Sequence, residues 1–140
     1  MKPTLRGQYL LVLVLVLAQA VGSVLNFVMV GRAGTIAAVI GLVVMMVSLG
    51  IDLAVLVNLR GVRYGARGGW LVSVLTIVAC WHVAGVAVLA GWLPSDWHLL
   101  FTVDGDDMAS GAYHAVLAAV SGTLLICAAN RTVGMGKSPS

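Results

Sequence analysis

Residues 35–59 read TIAAVIGLVVMMVSLGIDLAVLVNL, a run with a single ionisable side chain, Asp52. A hydrocarbon layer about 30 Å thick is crossed by about 20 apolar residues in a helix, so this run is long enough to span one. A helix apolar on every face belongs in a large core or in a bilayer, and a short chain has no large core. Three further runs repeat the pattern, Tyr9–Val30, Trp70–Leu93 and Ala112–Ala129. Between them lie Gly31–Gly34, Arg60–Gly69 and Pro94–Gly111, which hold the glycines, prolines and charges that punctuate loops. Across the 140 residues 61% are hydrophobic and 9% charged, with a mean hydropathy of +1.06. Soluble domains have about 45–50% apolar and about 25% charged residues, so a soluble enzyme is excluded. Disorder is excluded by the same apolar excess, and a disulfide scaffold by the presence of only two cysteines. The expected fold is all-α: one integral membrane domain over residues 1–140, a four-helix bundle running up-down-up-down because its loops are short, with a disordered tail over 132–140.

Lysine and arginine set the expected orientation, since basic residues stay on the cytoplasmic side of short loops. Lys2 and Arg6 precede the first span, Arg60, Arg63 and Arg67 separate the second from the third, and Arg131 and Lys137 follow the fourth. An antiparallel arrangement puts all of these on one side and Arg32 alone on the other, so both termini are expected in the cytoplasm. Asp96, Asp104, Asp106 and Asp107 share the opposite, third loop, and Tyr9, Trp70, Trp92 and Trp97 fall at span boundaries, where amphipathic rings prefer to lie. A second reading of the N-terminus exists: Lys2 and Arg6, the run Leu10–Leu17 and Ala18-Gln19-Ala20 have the shape of a cleavable signal peptide. The apolar pattern continues to Val30, which favours a retained span.

Asp52 is the most informative residue, because a charge near the bilayer centre costs from about 2.5 kcal/mol upward and marks a partner or a pathway. At 1.5 Å per residue it lies about 10 Å inside the cytoplasmic boundary, with Gln19 about 15 Å, Thr76 about 9 Å and His82 about 18 Å deep. Ser48 sits one helical turn from Asp52. One reading makes Asp52, His82, Gln19, Ser48 and Thr76 an intramembrane polar site that handles a proton or cation. A second has Asp52 protonated or hydrogen-bonded to Gln19 and Thr76, fixing helix register only. A third has Arg60 or Arg63 reaching inward to neutralise it.

The remaining motifs point to no chemistry. The third loop holds Asp96, His98, Asp104, Asp106 and Asp107, with His114 just beyond, but its spacing matches neither a calcium loop nor a helical histidine pair. It reads as a solvated acidic face with Trp97 and Phe101 dipping into the interface. The three arginines of the second loop are fewer than the about four to eight basic residues of a lipid-binding cluster, and they account for topology instead. The net charge of +3 is explained by the same loops and tails, so no nucleic-acid partner is expected. Cys80 and Cys127 lie about 12 Å apart in depth and read as packing residues, which leaves no dithiol for quinone-linked thiol oxidation. No metal, cofactor or catalytic triad is indicated. Small residues four apart recur on every span: Ala18 and Gly22, Ala37 and Gly41, Ala87 and Gly91, Ala118 and Gly122, with Gly111, Ala115 and Ala119 beside the last. Such spacing allows close helix approach within the bundle or against a partner.

The second loop, Leu59-Arg60-Gly61 followed by Ala66-Arg67 and a tryptophan-led span, resembles that of small four-helix bacterial integral membrane proteins. Their inner loop reads leucine-arginine-x-glycine-x-x-x-alanine-arginine, whereas Gly61 here follows Arg60 directly. The resemblance covers the middle of the chain and implies a protein of the bacterial inner (cell) membrane with no assigned function. Small multidrug transporters fit less well, since they carry a glutamate in the first span and this chain has none. Two functions are therefore expected to compete. The first is a non-catalytic accessory or structural subunit that packs in the lipid bilayer against a larger membrane complex or as a homo-oligomer. The second is a small oligomeric proton- or cation-linked transporter or channel using Asp52.

Overall fold

The computed structural model describes the backbone of residues 5–63 and 69–135 and the side chains of residues 7–57, 70–94 and 96–130. Every regular element among the described residues is helical: α1 (Leu5–Gly31), α2 (Thr35–Arg63), α3 (Gly69–Leu89), a 3-10 turn (Ser95–Trp97), the one-turn α4 (His98–Phe101) and α5 (Asp107–Met135). Four stretches are long and apolar enough to cross a membrane, Gly7–Gly31, Thr35–Val57, Trp70–Leu89 and Asp107–Asn130.

The two helix ends that flank the third loop differ from the sequence expectation, and capping explains both. The third span was expected to run to Leu93, but α3 stops at Leu89. Gly91 adopts a φ of +77°, Trp92 N–H donates to Ala87 O at 2.8 Å and Gly91 N–H to Val88 O at 3.0 Å. This pair of bonds, with a glycine in the left-handed region, closes a helix whatever the hydropathy beyond it. The fourth span was expected from Ala112, but α5 begins at Asp107. Asp106 Oδ1 accepts from the Met108 and Ala109 amides at 2.8 and 3.2 Å, an N-cap that starts the helix in polar sequence. At the other end α5 continues through residues 132–135, expected as tail, while residues 136–140 lie outside the described residues.

The helices pack as two close pairs, α1 with α2 and α3 with α5, joined through α1–α5 and α2–α3. Partners along α2 come in reverse order, Val30 and Phe27 against Gly41, then Ser23 and Gln19 against Ser48. The bundle interior has two tiers. Toward the start of α1 it is apolar, built from Val12, Leu15, Val55, Leu75, Val78, Leu117 and Leu124. Toward the other end polar side chains enter the interior, with Gln19, Asn26, His82, Thr102, Ser110 and His114 buried beside Val30, Val88, Phe101 and Val103. The outer surface is apolar, with Ile36, Val39, Val43, Met46, Val47, Leu53 and Val57 exposed along α2 alone. That is far more exposed hydrocarbon than a water-soluble monomer carries, and it suits lipid.

The third loop departs most from expectation. Phe101 does not dip into the interface but is 1% exposed inside the bundle, followed by buried Thr102 and Val103. Phe101 stacks on Trp81 with ring centroids 4.6 Å apart and meets His114 edge-on at 5.6 Å. Irregular backbone inside a membrane protein needs protein partners for its polar groups. Asn26 Nδ2 supplies them from α1, lying 2.9 Å from Leu99 O, 3.1 Å from Leu100 O and 2.6 Å from Thr102 O. Ser110 Oγ accepts from Val103 N–H at 2.9 Å and donates to Asp104 Oδ1 at 3.2 Å. The acidic loop is therefore wound on its own aspartates, and Asp107 pairs with His98 at 2.8 Å.

Candidate functional site

The polar tier is assembled by residues from all four long helices and the buried loop. On α1 and α2, Gln19 Nε2 donates to Ser48 Oγ at 3.3 Å and Ser23 Oγ donates to the same oxygen at 2.7 Å. One turn further along α2, Asp52 is 4% exposed, and its Oδ2 has no hydrogen-bond partner among the described residues. On α3 and α5, His82 Nδ1 and His114 Nδ1 are 2.9 Å apart, and His114 Nε2 donates to Phe101 O at 2.9 Å. Tyr113 reaches across from α5 to α1, where its hydroxyl donates to Ala18 O at 3.0 Å.

Two glycines make these contacts fit. A Cβ on Gly22 would run into the Tyr113 ring, and a Cβ on Gly85 would lie 2.7 Å from His114 Cγ and 2.9 Å from Phe101 Cδ1. Between the side chains remains a cavity of about 30 Å³ lined by Gln19, Ser23, Asn26, Ser48, His82, Tyr113 and His114. At about 10–15 Å³ per water it has room for about two.

Of the five residues singled out in the sequence, the structure joins Gln19 directly to Ser48 and sets Asp52 one turn beyond them. His82 is in the same tier, but its partner is His114 rather than Asp52. Thr76 is not brought to the site: it is exposed, and its hydroxyl bonds its own helix at Val72 O, 2.8 Å away. The Gln19 Nε2 group is likewise given to Ser48 instead of Asp52. The Arg60 and Arg63 side chains, the third reading of Asp52, lie outside the described residues. Cys80 is exposed and Cys127 half-buried, both free.

Sequence reasoning missed Asn26, Tyr113, Ser110 and above all His114 as members of the tier. Helix ends held the missing signal. His82 lies seven residues before the end of α3 and His114 seven after the start of α5, so the two share one depth. With a third span ending at Leu93 and a fourth starting at Ala112, the same residues fall at different depths.

Fold and site together define a multi-pass, all-helical membrane protein with most of its buried polar side chains gathered toward the third loop. No family model, no curated protein and no solved structure matches this chain.

Proposed function

We propose that the protein is a non-catalytic subunit of the bacterial inner membrane that packs against a membrane partner or a second copy of itself. In this reading it is inserted up-down-up-down with both termini in the cytoplasm, as its basic loops favour. The observation that carries it is how the interior polar groups are used. Asn26, Tyr113, Ser48 and His114 tie helix to helix or helix to loop, and the space left is about 30 Å³. An apolar cavity of about 150 Å³ takes up benzene, and the space here is about a fifth of that. The outer face of α5 supports the same reading. Ala115 and Ala119 are exposed, and a Cβ on Gly111 or Gly122 would meet nothing within 4 Å, which leaves a face where another helix can approach closely.

Native mass spectrometry of the tagged protein, extracted gently from its own membrane, tests the proposal. A stoichiometric second subunit or a homo-oligomer is expected, and Ala115→Leu with Ala119→Leu is expected to abolish it. A bare monomer with bound lipid overturns the proposal.

A second reading is favoured by one observation, the buried Asp52 Oδ2 without a hydrogen-bond partner among the described residues. It makes the protein a small oligomeric proton- or cation-linked carrier with Asp52 as titrating group and Gln19, Ser48 and His82 beside the path. Asp52→Asn reconstituted in vesicles separates the two. Unchanged flux and folding support the subunit, whereas lost flux in a folded protein supports the carrier.

A further inference from the structure

We propose that His82 and His114 form a proton-binding site, loaded from the polar cavity and sensed by the loop packed on it. The Phe101 carbonyl can only accept, so in the neutral pair His114 carries its hydrogen on Nε2, 2.9 Å from that oxygen. His114 Nδ1 is then a lone pair, and the hydrogen in the 2.9 Å contact between the two Nδ1 atoms belongs to His82. It follows that His82 Nε2 is a bare acceptor. His82 is 1% exposed and lines the cavity, and Nε2 has no partner among the described residues. Gln19, 5% exposed, lines the same cavity, and its Oε1 is a second buried acceptor without a partner among the described residues. One cavity thus has two built acceptors, no competing use for either, and room for about two waters.

Loading balances simply. A protonated water in the cavity gives up a proton and an N–H bond forms at His82 Nε2. The His82 Nδ1–H bond then breaks as one forms at His114 Nδ1. One proton enters, and the positive charge comes to rest on His114. Its Nε2–H already points at the Phe101 carbonyl, and a hydrogen bond from a cationic donor is roughly twice as strong as a neutral one. Loading therefore tightens the contact that seats the buried loop. The proton goes no further, because a carbonyl oxygen cannot relay it, so the pair stores a proton rather than conducting it.

The groups facing the pair are few. From α5 comes Tyr113, its ring centroid 6.0 Å from that of His82, and the ionisable group on α2 is the buried Asp52. The loop contributes His98, which Asp107 holds at the surface, and α1 presents only uncharged Gln19, Ser23 and Asn26 to the cavity. The inference needs neither a partner subunit nor flux, so it stands apart from both functional readings.

Nitrogen NMR of histidine-labelled protein in lipid nanodiscs, from about pH 8 to about pH 4, tests it. At the start His82 is expected to carry its hydrogen on Nδ1 and His114 on Nε2. On acidification both rings are expected to change in one step, taking up one proton between them. Gln19→Leu is expected to move the shared step down by about one pH unit, a tenfold weaker site. If that variant does not fold, the wild-type titration decides alone. The proposal is overturned if His82 starts with its hydrogen on Nε2, if the rings titrate independently, or if both stay uncharged at the lowest pH where the helices persist.

Discussion

At the scale of single residues, the polar tier depends on what two glycines omit and what one asparagine supplies. Gly85 leaves room for His114 and Phe101 on the same side of α3. Gly85→Ala is expected to destabilise the protein by about 1–3 kcal/mol, the range for overpacking, read as a lower melting temperature in detergent. Gly50→Ala is the control: its Cβ enters open space, and stability is expected to hold or rise by up to about 1 kcal/mol from helix propensity. Asn26 places one amide nitrogen against three carbonyls of the buried loop. Asn26→Leu strips them of a donor away from water, so a loss of about 1–3 kcal/mol is expected. The specific mark of that loss is faster amide exchange at residues 99–103, and unchanged exchange there would contradict the role given to Asn26.

At the scale of elements, caps rather than hydropathy set where α3 and α5 meet the third loop. Apolar residues continue past Leu89, yet the left-handed turn at Gly91 ends the helix. Asp107 and its neighbours are polar, yet Asp106 starts a helix there. These two ends bring His82 and His114 level, so cap variants are expected to act on the histidine pair from a distance. Asp106→Ala is expected to cost about 0.5–2 kcal/mol and to fray the first turn of α5, raising amide exchange at Met108 and Ala109. Gly91→Val must hold a β-branched side chain at a φ of +77°, which costs about 1–2 kcal/mol or drives the helix end to re-form elsewhere. A shift in His82 resonances in either variant would report the coupling, and intact histidine signals beside a frayed α5 would refute it.

At the scale of the whole molecule, the bundle carries hydrocarbon outside and a graded interior within. The apolar tier lies toward the helix ends that adjoin the basic second loop, and the polar tier toward the acidic third loop. In the proposed orientation the polar half faces away from the cytoplasm. Single cysteines in a Cys80→Ser, Cys127→Ser background check this, since both native thiols are free. A membrane-impermeant thiol reagent applied to intact cells is expected to label Asp96→Cys and to spare Gly65→Cys until the membrane is opened. The reverse pattern would invert the molecule and place the histidine pair on the cytoplasmic side.

Hydropathy alone determined the class of this protein, because crossing a bilayer is a one-dimensional demand met by any long enough apolar run, and four such runs stand out in the chain. Candidate polar residues were legible for a related reason: Gln19, Ser48, Asp52 and His82 interrupt those runs, and a polar group in hydrocarbon always calls for an account. What each of them touches was decided only by the tertiary structure. Thr76 is as deep as Asp52 in the sequence arithmetic, but a helix turns about 100° per residue, and rotation sends Thr76 outward while Asp52 stays buried. The His82–His114 pair lies 32 residues apart in the chain, and its alignment rests on two caps and on the missing side chain of Gly85. Depth along a membrane normal is written locally, residue by residue. Facing and pairing depend on helix rotation and helix ends, and those are settled when the helices pack.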